Sequence, residues 1–173
     1  MKLEDIENID VIPGVSQGTA QYLCENAVAC MCRQQHQSGV LLQMHGIANR
    51  HEKVEWTTQY TDRLDRALAD QEVATEHGAA CISILAALDL TPYTIVERSR
   101  KKTGVDYWLA NKDDILFQHA ARLEVSGIFD APGRVSGRVN KKKRQTEQSE
   151  ATQIPAYVSI VEFSEPSLCF IKK

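Results

Sequence analysis

The chain has little of what marks several protein classes. No apolar run approaches the ~20 residues that a membrane-spanning helix needs. The opening MKLEDIENID is acidic and has neither a basic leader nor an apolar stretch, so it does not read as a signal peptide. There are only five cysteines, and an odd count without a secretion signal argues for reduced thiols. Cys30 and Cys32, with His36 nearby, lack C-x₂₋₄-C spacing, and no second pair follows. They read better as small buried hydrophobes on a helix. Aromatic residues make up only 6%, with nine glycines and five prolines, which leaves no room for a collagen-like or low-complexity chain. No Walker A, G-x-G-x-x-G, G-x-S-x-G, H-x-x-x-H or H-E-x-x-H pattern occurs. P-loop nucleotide hydrolysis, Rossmann dehydrogenation and ordinary serine hydrolysis are thereby set aside. These absences together point to a cytoplasmic protein with no membrane partner.

What is present suits a globular domain. The 173 residues are 43% hydrophobic and 25% charged. A chain of this length buries roughly 70% of its unfolded surface, enough for a core without staples. Net charge is −3, unevenly spread: residues 1–90 hold 6 Lys/Arg against 13 Asp/Glu, residues 91–173 hold 14 against 10. The basic second half points mildly to a polyanionic partner there.

Hydrophobic periodicity predicts helices at 17–36 and 62–88 and a basic helix at 134–148. It predicts strands at 40–46, 52–60, 93–98, 105–109, 121–128 and 156–163, with residues 168–171 as an edge strand. The result is one mixed α/β domain, residues 1–173. Residues 1–60 form a helix and β-hairpin that extend the sheet or make a dimer, and residues 61–173 form the core in the order αβββαβ.

Two carboxylates interrupt the predicted core strands. Asp106 shares a face with Trp108 within VDYWL, and Glu124 shares a face with Arg122 and Ser126 within ARLEVSGI. A carboxylate inside a buried strand is costly unless paired or bound to metal. Side by side on consecutive strands, the two would supply the oxygen ligands of a Mg²⁺ or Mn²⁺ site that keeps several waters and takes a substrate phosphate. Alternatively each pairs with an arginine such as Arg122 or Arg98, or faces solvent. Glu76 lies on the preceding helix among Ala74, Gly78, Ala79 and Cys81, small residues that permit close packing on a sheet. Half of the 20 basic residues fall in two clusters. Arg98, Arg100, Lys101 and Lys102 lead into Asp106, and Arg134, Arg138, Lys141, Lys142, Lys143 and Arg144 follow Glu124. Clustered cations are what phosphate contacts require.

The order of these elements, with Glu76 on the helix and Asp106 and Glu124 on the following strands, resembles the PD-(D/E)XK nuclease superfamily over residues 62–164. The resemblance implies a restriction-endonuclease-like core and metal-dependent hydrolysis of nucleic-acid phosphodiesters, in a setting such as phage defence or a mobile element. It implies Asp106 and Glu124 as metal-binding acids and Glu76 as an auxiliary acid. It also implies a partner subunit or homodimer. One departure stands out: the family places Lys two residues after the second acid, and this chain has Ser126. Three outcomes stay open. Lys141, Lys142 or Lys143 replaces it from another element; the metal acts alone; or the fold persists as an inactive interaction subunit.

Overall fold

The computed structural model describes residues 1–7, 12–100, 103–147 and 154–173. Helix α1 (Gln17–Arg33) starts where the Ser16 hydroxyl accepts the Thr19 amide at 3.3 Å. Its residues Ala20, Leu23, Cys24, Ala27, Val28 and Met31 recur at helical spacing and are all buried. A hairpin of β1 (Val40–Gly46) and β2 (Arg50–Val54) follows. The second strand is shorter than the sequence pattern predicts, and only Glu55 beyond it makes a bridge, to Lys2.

The helix predicted at 62–88 is two helices, α2 (Asp62–Ala67) and α3 (Gln71–Leu90). The break has a local cause. Asp70 caps α3 by accepting the Glu72 and Val73 amides, both at 3.0 Å. Arg33 reaches over from α1 to the carbonyls of Asp65 and Leu68, which removes the need for an intact helical ladder. Helix α3 has mean hydropathy 1.3 over its most apolar window, enough by length and composition to cross a membrane, but 67% of that window is buried inside the protein.

The remaining elements are β3 (Tyr93–Arg98), β4 (Tyr107–Asn111), β5 (Ala121–Ile128), α4 (Val135–Glu147), β6 (Ala156–Glu162) and β7 (Ser167–Lys172). Among the described residues the strands join one seven-stranded mixed sheet in the order β2-β1-β7-β6-β5-β4-β3. Strands β3, β4 and β5 form an antiparallel meander; β6 returns through α4 to lie parallel to β5. Strand β7 is not the predicted edge strand. It is inserted between β6, which it meets antiparallel, and β1, which it meets parallel.

Helices α1 and α3 pack together on one face of the sheet over the main core, which includes Leu42, Ile84, Leu123, Phe163 and Phe170. Each such side chain contributes roughly 1.5–3 kcal/mol by leaving water. Gly78 serves the α1–α3 contact rather than the sheet: a Cβ there would lie 3.0 Å from the Ala27 backbone. The sheet contact of α3 is made elsewhere, by Thr75 against Gly127 and by a 2.7 Å hydroxyl pair between Ser83 and Ser159. At Gly127 a side chain would sit 2.4 Å from the Thr75 carbonyl oxygen, so only glycine lets the helix lie this close to β5. On the opposite face, Val139 of α4 is buried against Ile128, Val158 and Ile160.

Candidate active site

Register brings the two acids together. Tyr107 pairs with Leu123 and Trp108 with Arg122, and the Asp106 amide donates to the Leu123 carbonyl at 3.0 Å. Asp106, just before β4, is therefore opposite Glu124 on β5. Alternation along both strands turns Tyr107 and Leu123 into the main core and sends the two acids to the α4 face. Their carboxyl groups meet there, close enough to share a hydrogen bond. Asp106 is anchored further by Oδ2, which accepts the Val125 amide at 2.7 Å.

Glu124 is paired with Lys142 of α4, whose Nζ donates to Glu124 Oε1 at 2.6 Å. Val139 docks the helix on the sheet, and Lys142, three residues on, falls over β5. The Glu124 side chain is only 5% exposed. Burial first, then the charge of Asp106, pushes its pKa up to about 7; Lys142 opposes both. Ser126, where the family pattern expects lysine, points to the same face of β5 and is buried. The cation paired with Glu124 is on a helix, not on the strand.

A cleft of about 730 Å³ opens in front of this cluster between α3 and α4. Glu72, Thr75 and Glu76 form one wall, Asp106 and Lys142 the floor, and Arg134, Arg138 and Lys141 the other wall. Glu76 is exposed and faces the same cleft as Asp106. His77, its neighbour in sequence, turns instead to the Tyr22 hydroxyl at 3.2 Å. Arg98 lines a small recess of about 20 Å³ with Glu76 and Asp106. Arg100 is exposed and is not part of the cleft wall. Lys101 and Lys102 lie outside the described residues, and Lys143 follows Lys142 on the α4 backbone.

Among the described residues no group of three or more His, Cys, Asp or Glu side chains is placed to share a metal ion. The acid pair still fits a hard divalent cation. Asp106 lines the open cleft, which leaves room for water and phosphate oxygens, and Glu124 lies buried beside it, their mutual repulsion only partly offset by Lys142.

The sequence reads Glu97 as sharing a face with Tyr93 and Ile95, either a further acid near the site or an edge residue, and gives no sign of the cluster that it joins. A β-bulge between Ile95 and Glu97 shifts the β3–β4 register so that Glu97 stands beside Trp108 instead of sharing the face of Ile95. Glu97 Oε2 contacts His119 Nε2 at 3.1 Å, and the His119 ring stacks on Trp108. The signals in the sequence were the Glu97 acid itself and the placement of Trp108 on the face of Asp106; nothing tied His119 to either. No protein-family model, curated protein or solved structure matches the chain.

Proposed function

We propose that this protein is a metal-dependent nucleic-acid phosphodiesterase of the PD-(D/E)XK kind, with the lysine of its motif supplied by α4 instead of β5. The observation that carries the proposal is the 2.6 Å contact between Lys142 and Glu124 directly opposite Asp106. The order α3-β3-β4-β5-α4-β6, with β6 parallel to β5, supports a restriction-endonuclease-like core.

Asp106 and Glu124 would hold Mg²⁺ or Mn²⁺, which when bound acidifies a coordinated water and stabilises charge on the scissile phosphate. Lys142 keeps a positive charge at the acid pair, placed to orient the attacking water and offset the growing negative charge. Arg134, Arg138 and Lys141 bind flanking phosphates along one wall. Glu76 on the opposite wall accepts hydrogen bonds from water entering the cleft. The setting is a cytoplasmic nucleic-acid partner in defence or element mobility, with a protein subunit or second copy completing the assembly.

One observation favours a second reading. The ion pair between Glu124 and Lys142 is already closed, as it would be in a retired nuclease that only binds. Cleavage of labelled DNA and RNA in Mg²⁺ and Mn²⁺ separates the two. The phosphodiesterase requires metal-dependent products that vanish in Asp106→Asn and Glu124→Gln, and a Mn²⁺-induced rise in melting temperature that vanishes with them. Products that survive both substitutions would remove these acids from the chemistry. Nucleic-acid binding with no cleavage under any metal would leave the binding subunit.

A further inference from the structure

The cluster beside the acid pair is built to receive a flat ring. Trp108 of β4 lies two residues after Asp106, which immediately precedes the strand and pairs in register with Glu124, so both side chains leave the same face of the sheet. The rings of Trp108 and His119 are parallel within 3°, with centroids 4.5 Å apart. Three pieces of chain fix the imidazole: β4 supplies the indole beneath it, the β4–β5 loop supplies His119 itself, and β3 supplies the Glu97 carboxylate at its edge. The bulge that turns Glu97 out of line with Ile95 is what brings that carboxylate within reach. Indole covers one face of the imidazole, yet the His119 side chain remains 39% exposed.

Building on the phosphodiesterase reading, we infer that the substrate is a single-stranded polynucleotide and that the His119–Trp108 stack is the platform for one of its bases. The placement divides the strand by chemistry. Arg134, Arg138 and Lys141 lie on the cleft side of Asp106 and take phosphates; the platform lies further along β4 and takes a base. Every base has a π face, so such a platform is tolerant of sequence. Bases inside a duplex have both faces covered, so only an unpaired base can reach it. DNA and RNA both offer that chemistry.

Binding measured without turnover tests this. The chain has two tryptophans, so Trp56→Phe leaves Trp108 as the reporter. With Ca²⁺ replacing Mg²⁺ to hold off cleavage, four ligands of one length, ~12 nucleotides to span a typical single-strand site, are titrated: single-stranded DNA, single-stranded RNA, blunt duplex, and an abasic phosphodiester strand. The single strands should quench Trp108 and bind roughly tenfold or more tighter than the duplex and the abasic strand. With affinity read by the anisotropy of an end-labelled strand, which does not depend on Trp108, His119→Ala and Trp108→Ala should erase that advantage and leave abasic binding unchanged, while Trp108→Phe keeps most of it. The RNA and DNA arms then assign the sugar. Equal affinity for all four ligands, or His119→Ala without effect in a protein of unchanged melting temperature, would overturn the platform while leaving the phosphodiesterase standing. Absence of all binding at low salt would remove both.

Discussion

Glu124 keeps a proton over a pH range in which most carboxyls have lost theirs, because burial and the charge of Asp106 raise its pKa to about 7. A carboxyl whose folded pKa lies above its unfolded value of about 4.5 takes up a proton on folding. Its effect on stability is most favourable below that unfolded value and is lost as pH rises through about 7. Glu124→Gln should therefore look better relative to wild type at pH 8 than at pH 5, by about 1–3 kcal/mol in urea unfolding. Parallel stability profiles for the two proteins would show that Glu124 titrates normally. A second buried acid does structural work only. Glu162 is 0% exposed and accepts from the Ser164 amide at 3.0 Å, the Ser164 hydroxyl at 2.6 Å and the Glu165 amide at 2.6 Å. Glu162→Ala would orphan those donors at the β6–β7 turn, and unfolding should show a loss of about 3 kcal/mol with the cleft chemistry retained. An unchanged denaturation midpoint would mean that water replaces the carboxylate there.

Helix α4 contributes through Lys142 what β5 lacks at Ser126, and this contribution can be exchanged. On the proposed phosphodiesterase reading, Lys142→Met should lower cleavage by ~10²–10⁴, the usual worth of an orienting or proton-handling group. Adding Ser126→Lys to that variant should restore part of it, because both side chains emerge beside Glu124. Failure of the second lysine to restore anything, with metal binding intact, would confine the role to α4. The same elements show how far the sequence could be read. Alternation located β3, and short apolar runs bounded by turns with Gly, Pro or Asp located β5 and β6, which are buried on both faces. The pairing of Asp106 with Glu124 followed from that alternation. The α2–α3 break did not follow, because apolar spacing runs on through Asp70, and the carbonyl contacts of Arg33 come from a distant helix. Lys142 was one of three candidate lysines; its selection depends on how Val139 docks α4 onto the sheet. The bulge at Glu97 leaves no mark in a strand pattern, and the Trp108–His119 stack went unseen with it.

At the scale of the whole molecule the least legible feature was the place of β7. Its six residues Ser167–Lys172 resemble a short edge strand, yet they join the N-terminal hairpin to the rest of the sheet. Parallel pairing of Gln43 with Ser167 and Met44 with Leu168 spans most of the chain, and no local pattern records it. A variant ending at Ser164 should lose cooperative unfolding altogether, since β1 and β6 would each lose a partner and Leu42 and Phe163 part of their core. A sharp melting transition in that variant would show that the core is independent of β7.

The position of β7 also sets an order in time. During synthesis β1 and β2 are made early, and β3 to β6 are all made before β7, the strand that links the hairpin to them. Until residues 167–172 emerge, β1 and β6 both present open hydrogen-bonding edges, with apolar side chains beside them. Joining strands so far apart in sequence is slow. Each newly made chain thus passes through an interval in which it can pair with another chain instead of with itself, and a holding chaperone would act in that interval.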